Sequence, residues 1–127
     1  MKAVLIISHG SKSRKTKREV KSLTKILKSK TQINIFEYAF LEIEQPDIPT
    51  GIKRCITQGA AEIIILLNFL NSGRHVDIDI PGILVQAKRK YPKIIFYISK
   101  PVGQHPRIQE LFIDMINKTP GGYSASP

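Results

Sequence analysis

Two histidines, His9 and His75, stand where an apolar run gives way to a short polar loop. The first run, residues 1–7, ends in Ser8-His9-Gly10-Ser11. The second, residues 63–67, stops at Asn68 and leads through Gly73 into Arg74-His75-Val76-Asp77, with Asp79-Ile80-Pro81 following. An imidazole changes charge near neutral pH, so it can accept a proton or, when neutral, bind a metal through one nitrogen. Two imidazoles with open coordination positions suit a first-row divalent ion such as Co, Ni, Fe or Zn. They are too few for a closed structural site, so a third ligand, water or substrate must complete the set. That favours a metal passing through. His9 and His75 are therefore the candidate metal ligands. Glu42, just past a third apolar run at residues 33–41, is a candidate further base and joins both histidines in the candidate catalytic set.

Around these residues lie groups with weaker claims. Asp77 and Asp79 could orient a ligating histidine, although Asp79 also opens a helical pattern and reads first as its cap. The planar fork of Arg74 can clamp a carboxylate bidentately. Ser11 and Lys12, beside His9, join Arg74 as candidate substrate-binding residues, and Arg14 and Lys100 are further contacts whose plainer reading is solvated charge. His105, directly before Pro106, is a turn residue first. Cys55 falls on an apolar helical stripe and reads as a small core residue. A single cysteine rules out an internal disulfide framework and a cysteine zinc cluster, and fits a reducing cytoplasm.

The elements that must position these groups alternate strand and helix four times. Strands are expected at residues 1–8, 33–41, 61–67 and 93–99, the second nearer a sheet edge. The first helix, capped by Ser11 or Ser13, turns Val20, Leu23, Ile26 and Leu27 inward. The second carries Ile48, Ile52, Cys55 and Ile56 at helical spacing and is closed by Gly59; the third, residues 79–91, buries Ile80, Ile83, Leu84, Ala87 and Tyr91. The last turns Ile108, Leu111, Phe112, Met115 and Ile116 inward. Residues 1–118 form one domain, and 119–127 have the composition of a disordered tail.

Such alternation implies an α/β fold: a four-stranded parallel sheet with right-handed crossovers and helices on both faces. The longest apolar runs belong in the centre, giving the order 2-1-3-4. The loops after the first and third strands then diverge at the switch point where open α/β sheets bind ligands. Only this order brings His9 and His75 within reach of each other.

Composition narrows the partners. A formal charge of +10 attracts polyanions. Much of it lies in the lysine-rich first helix, opposed only by Glu19. That stretch lacks interleaved aromatics and any nucleic-acid fold motif, so nucleic acid is not the expected partner. No segment approaches the roughly 18 apolar residues of a membrane span, and the N-terminus lacks a signal-peptide pattern. A cytoplasmic location without a membrane partner is expected.

Taken together, Ser8-His9-Gly10-Ser11, Ala39-Phe40-Leu41-Glu42 with Pro46, Gln58-Gly59-Ala60, and above all Phe69-Leu70, Gly73-Arg74-His75-Val76 and Asp79-Ile80-Pro81 are similar to the short, single-domain sirohydrochlorin cobaltochelatases. Pro101-Val102-Gly103 with His105-Pro106 resembles that family's fourth loop. Asn68 departs from it, since many relatives carry Pro there. The resemblance implies a class II, ATP-independent chelatase (a lyase) built as half of a ferrochelatase-like fold, pairing as a homodimer to mimic larger two-lobed enzymes. Its metal ligands would be His9 and His75. Its substrates would be sirohydrochlorin, a polycarboxylate tetrapyrrole, and a divalent metal, cobalt first and nickel or iron as alternatives, in tetrapyrrole or cobalamin biosynthesis. No permanently bound cofactor is implied.

Three other functions explain part of the pattern. A strand ending in His-Gly resembles the histidine phosphatases, but those place Arg directly before the histidine and here that residue is Ser8. A polyanion-binding module would use the basic helix and leave the His75 loop idle. A metal carrier would use both histidines without insertion chemistry.

Overall fold

A computed structural model of the chain describes residues 1–121. The element order is β1 (Lys2–Ser8), α1 (Arg14–Lys30), β2 (Ile35–Phe40), α2 (Ile48–Thr57), β3 (Glu62–Leu67), α3 (Ile80–Lys90), β4 (Ile95–Ile98) and α4 (Ile108–Lys118). The sheet runs β2-β1-β3-β4 with every pair parallel, as the apolar patterning requires. Of the expected tail, residues 122–127 lie outside the described part of the chain.

The two central strands are buried from both sides. Ala3, Leu5 and Ile7 point toward α2 and α3, packing with Ile48, Ile52, Cys55, Ile63, Ile65 and Ile80. Val4 and Ile6 point the other way, toward Leu27 of α1. Each fully buried Leu or Ile contributes about 1.5–3 kcal/mol, so this double burial is what holds the β1 and β3 ends in place. Cys55 is a core residue as its position on the stripe implies. Burial, with a smaller effect from Glu37, pushes its thiol up to about 12.

The outer parts of the fold depart from the expected packing. In α1 the buried positions are Val20 and Thr24, while Leu23 and Ile26 are 37% and 51% exposed. The Thr24 hydroxyl donates to the Val20 carbonyl at 2.7 Å, which lets a polar residue take the inner face. β4 is only four residues long, and Ile95, Tyr97 and Ile98 are exposed. The largest correction concerns α4. No residue of this helix is buried, and Leu111, Phe112, Met115 and Ile116 all face solvent. Its main packing is against the one-turn helix Val102–Gln104. An apolar period of 3.6 residues says that a helix face seeks cover, but not which surface, or whose, will supply it.

Candidate metal centre

The register of the sheet decides which loops meet. Ser8 pairs with Phe40 and Ile7 with Leu67, so β1, β2 and β3 end level with one another. His9 follows β1, Glu42 follows β2, and His75 opens a single π-helical turn (His75–Asp79) that runs into α3. Hydrogen bonds continue past the strand ends. Leu41 N–H donates to the Ser8 carbonyl at 2.9 Å, and Glu42 N–H to that of His9 at 3.1 Å. On the other flank Asn68 donates twice, from its N–H to the Ile7 carbonyl (2.9 Å) and from Nδ2 to the Ser8 hydroxyl (3.0 Å).

Two backbone features allow the β1 and β2 loops to lie this close. Gly10 has φ of +107°, and a Cβ there would stand 1.9 Å from the Glu42 carbonyl oxygen. Only glycine fits both the conformation and the contact. Ile43 takes the left-handed φ of 72° that a β-branched residue avoids. This reversal separates two carboxylates that both serve the β1 loop: Glu42 reaches His9, and Glu44 accepts the Ser11 N–H at 2.8 Å.

The three candidate groups converge. His9 Nε2 lies 2.6 Å from Glu42 Oε1. The His9 and His75 ring centroids are 5.0 Å apart at 53°. One ligand atom from each of His9, Glu42 and His75 can be chosen so that all lie within 4.8 Å of one another. The side chains are 45–48% exposed, so the cluster opens to solvent. An exposed ion pair adds at most about 1 kcal/mol to stability, so this clustering is not explained as a device for folding.

Neighbouring acceptors select the nitrogens. His75 Nδ1 lies 2.8 Å from Asp79 Oδ2, and His9 Nδ1 lies 3.1 Å from the Gly10 carbonyl. Both acceptors take a proton from Nδ1, which turns Nε2 of each ring into the candidate ligand atom, and that of His9 already meets the Glu42 carboxylate. Two imidazole nitrogens and a carboxylate oxygen, with further positions open, suit a mid-to-late first-row divalent ion.

Asp79 is the chief departure at the site. It makes no side-chain cap to α3 and instead accepts from His75 one helical turn earlier. The four-residue spacing was visible in the sequence, but a helix-opening Asp has two possible partners and only the π-turn shows which it takes. Ser11 closes its own turn, its hydroxyl accepting from Ser13 N–H at 3.1 Å. Lys12, Arg14, Arg74 and Lys100 are exposed. His105 accepts the Arg107 N–H through Nδ1 at 3.0 Å, the turn role its place before Pro106 implies. The resemblance of the fourth loop includes Gly103 without its reason, which is that a Cβ there would stand 1.6 Å from the Leu70 carbonyl oxygen. It clamps the fourth loop to the His75 loop, with Gly103 N–H donating to the Phe69 carbonyl at 3.1 Å.

A family model described as CbiX matches residues 3–119 of this chain, which includes all three converging residues and every strand and helix but the first residue of β1. The chain belongs to the CbiX family. Among curated relatives, the chloroplastic sirohydrochlorin ferrochelatase of Arabidopsis thaliana is 32% identical over 114 residues, covering 90% of this chain and 49% of the relative. The sirohydrochlorin cobaltochelatase of Sulfolobus acidocaldarius is 30% identical over 118 residues, covering 93% and 92%. Among solved structures, the sirohydrochlorin chelatase SirB from Bacillus subtilis subspecies spizizenii, in complex with cobalt, matches with a TM-score of 0.84 at 28% identity. It covers 91% of this chain and 50% of that one. The chain thus spans half or less of the first curated relatives it matches, and nearly all of the Sulfolobus relative. Relatives named for iron and for cobalt both fall in this range of identity. Among the described residues no helix is long and apolar enough to cross a membrane.

Proposed function

We propose that this chain is an ATP-independent sirohydrochlorin chelatase that inserts a divalent metal, cobalt foremost and iron or nickel in its place, into the free tetrapyrrole. The observation that carries the reading is the convergence of His9, Glu42 and His75 at the open carboxyl edge of the sheet, in a chain of the CbiX family. Residues 1–118 form the chelatase unit, and two copies pair to stand in for a two-lobed relative.

Insertion exchanges two pyrrole N–H protons for one divalent ion, so the site must loosely hold a cation and also accept protons. One imidazole nitrogen cannot do both at once. His75, backed by the Asp79 carboxylate, serves as the steadier ligand. The His9–Glu42 pair serves as the labile one: as the ion moves to the ring, the freed His9 Nε2 and Glu42 carboxylate take up the displaced protons. Arg74 and Lys12, with Ser11, hold carboxylates of the tetrapyrrole rim, and the +10 charge draws in such a polyanion.

The test follows sirohydrochlorin absorbance with Co, Ni or Fe, with and without protein, for the wild type, His9→Ala and His75→Ala. Both variants should keep the fold, since neither ring belongs to the core. Each should lose more insertion rate than the roughly 10–100-fold that follows removal of a ligand's supporting partner. An undiminished rate in either variant removes that histidine from the mechanism. No acceleration over the protein-free control with any metal removes the function.

A further inference from the structure

The charges of α1 are sorted between its two flanks. Arg14, Arg18, Lys21, Lys25 and Lys28 follow one another at steps of three and four residues, so they share one side of the helix. Lys21, Lys25 and Lys28 stand there against Tyr38 of β2. The single acidic residue of the helix, Glu19, lies on the other flank with Thr16 and Leu23. These three wall a cavity of about 330 Å³ whose far side is Ser8, His9 and Asn68. Neither Glu42 nor His75 lines it, so the cavity reaches the metal centre through His9 alone. Glu19 is exposed, and among the described residues its carboxylate forms no ion pair, although α1 carries eight bases.

A formal charge of +10 sets the proposed reaction a problem, because the field that draws in a polycarboxylate repels the divalent ion that must meet it. We infer that the Glu19 cavity is the loading port of the metal centre, where a hydrated divalent cation is held by Glu19 before it exchanges water for His9. This rests on the reading of His9 as a ligand of the inserted metal, and it adds the route by which that metal arrives. The lining fits an aquo ion. Glu19 supplies the opposite charge, and the Thr16 hydroxyl and Asn68 Oδ1 can accept hydrogen bonds from its water, the Asn68 amide being fixed by its bond to Ser8. Size agrees: an ion with six waters needs roughly 200 Å³ at about 30 Å³ per water. A carboxylate of the tetrapyrrole would be repelled from Glu19 and drawn to the lysine flank, so one helix steers the two reactants apart. In water a divalent ion about 8 Å from a carboxylate gains as much as two unit charges at about 4 Å, a factor of about five in local concentration.

The experiment mixes the full chain with Co(II) in a stopped-flow instrument, without tetrapyrrole, and follows the ligand-field absorbance that develops as histidine nitrogen replaces water. At low ionic strength Glu19→Gln should slow association about fivefold, and Glu19→Lys by about as much again, with the final spectrum and dissociation rate of the wild type. Glu110→Gln, the same charge change at an exposed position of α4, should associate at close to the wild-type rate. Salt at about 1 M, where the Debye length is about 3 Å, should erase the differences. In the insertion assay Glu19→Gln should raise KM for the metal and leave KM for sirohydrochlorin alone. Equal association rates in Glu19→Gln and the wild type overturn the port. Equal slowing in Glu110→Gln also overturns it, by tracing the effect to net charge. An altered bound spectrum in Glu19→Gln overturns it too, by making Glu19 a ligand of the final site. A protein that binds Co(II) through Glu19 as described but does not insert it leaves the port standing and removes only the chelatase reading. No Co(II) binding by the wild type removes both.

Discussion

Replacing Gly10 by alanine should damage the proposed metal centre without touching His9, Glu42 or His75 themselves. The added Cβ would meet the Glu42 carbonyl oxygen at 1.9 Å, so the β1 and β2 loops must separate by about 1 Å to reach the 3.0 Å that real contacts respect. The φ of +107° adds strain of about 1–3 kcal/mol for any residue with a side chain. A separation of that size takes the 2.6 Å His9–Glu42 contact outside hydrogen-bonding range and weakens the 3.1 Å bond from Glu42 N–H to the His9 carbonyl. With the carboxylate displaced, affinity for Co(II) or Ni(II) should fall about 10–100-fold, the usual cost of disturbing a ligand's support. Titration calorimetry at a temperature well below unfolding reads this, and a thermal melt reads the strain. Gly82→Ala is the control: a Cβ there meets nothing within 4 Å, and in α3 it should leave metal binding alone and gain up to about 1 kcal/mol. If Gly10→Ala binds metal and melts like the wild type, the contact between these loops does not position the site.

Asp79→Ala should lower metal affinity by about 10–100-fold while changing stability by no more than about 1 kcal/mol, because an exposed partner of His75 is lost and no cap is; a drop in melting temperature with unchanged affinity would return Asp79 to the role of a helix cap. Asp47 is the true cap of α2, its carboxylate accepting the Thr50 N–H at 2.9 Å, and Asp47→Ala should cost about 1 kcal/mol by denaturant titration at neutral pH. The bonds from Thr50 hold the Asp47 carboxyl below its ordinary 3.8, so its charge-linked stability is complete above that value and is lost as pH falls through the lower folded one. The stability gap between the wild type and Asp47→Asn should therefore close on acidification below about pH 4; a gap independent of pH would refute the assignment.

Much of this protein was legible before its fold was known, and the legible part has a common cause. Apolar runs at residues 1–7 and 63–67 report burial on both faces, and that alone places β1 and β3 in the middle of the sheet and their loops at its switch point. His9, Glu42 and His75 stood out because strand ends are where α/β folds present polar groups. Short-range patterning is silent about contacts between segments distant in the chain. That Gly10 must be bare because the Glu42 carbonyl presses on it, that Asp79 serves His75 and not the helix it opens, and that Gly103 locks two loops are all outcomes of packing. The last helix shows the same limit in its strongest form. Its apolar stripe is written in the sequence, because a helix face that seeks burial repeats every 3.6 residues, but only the fold shows Leu111, Phe112 and Met115 left exposed, because the packing of α4 is set by segments distant in the chain.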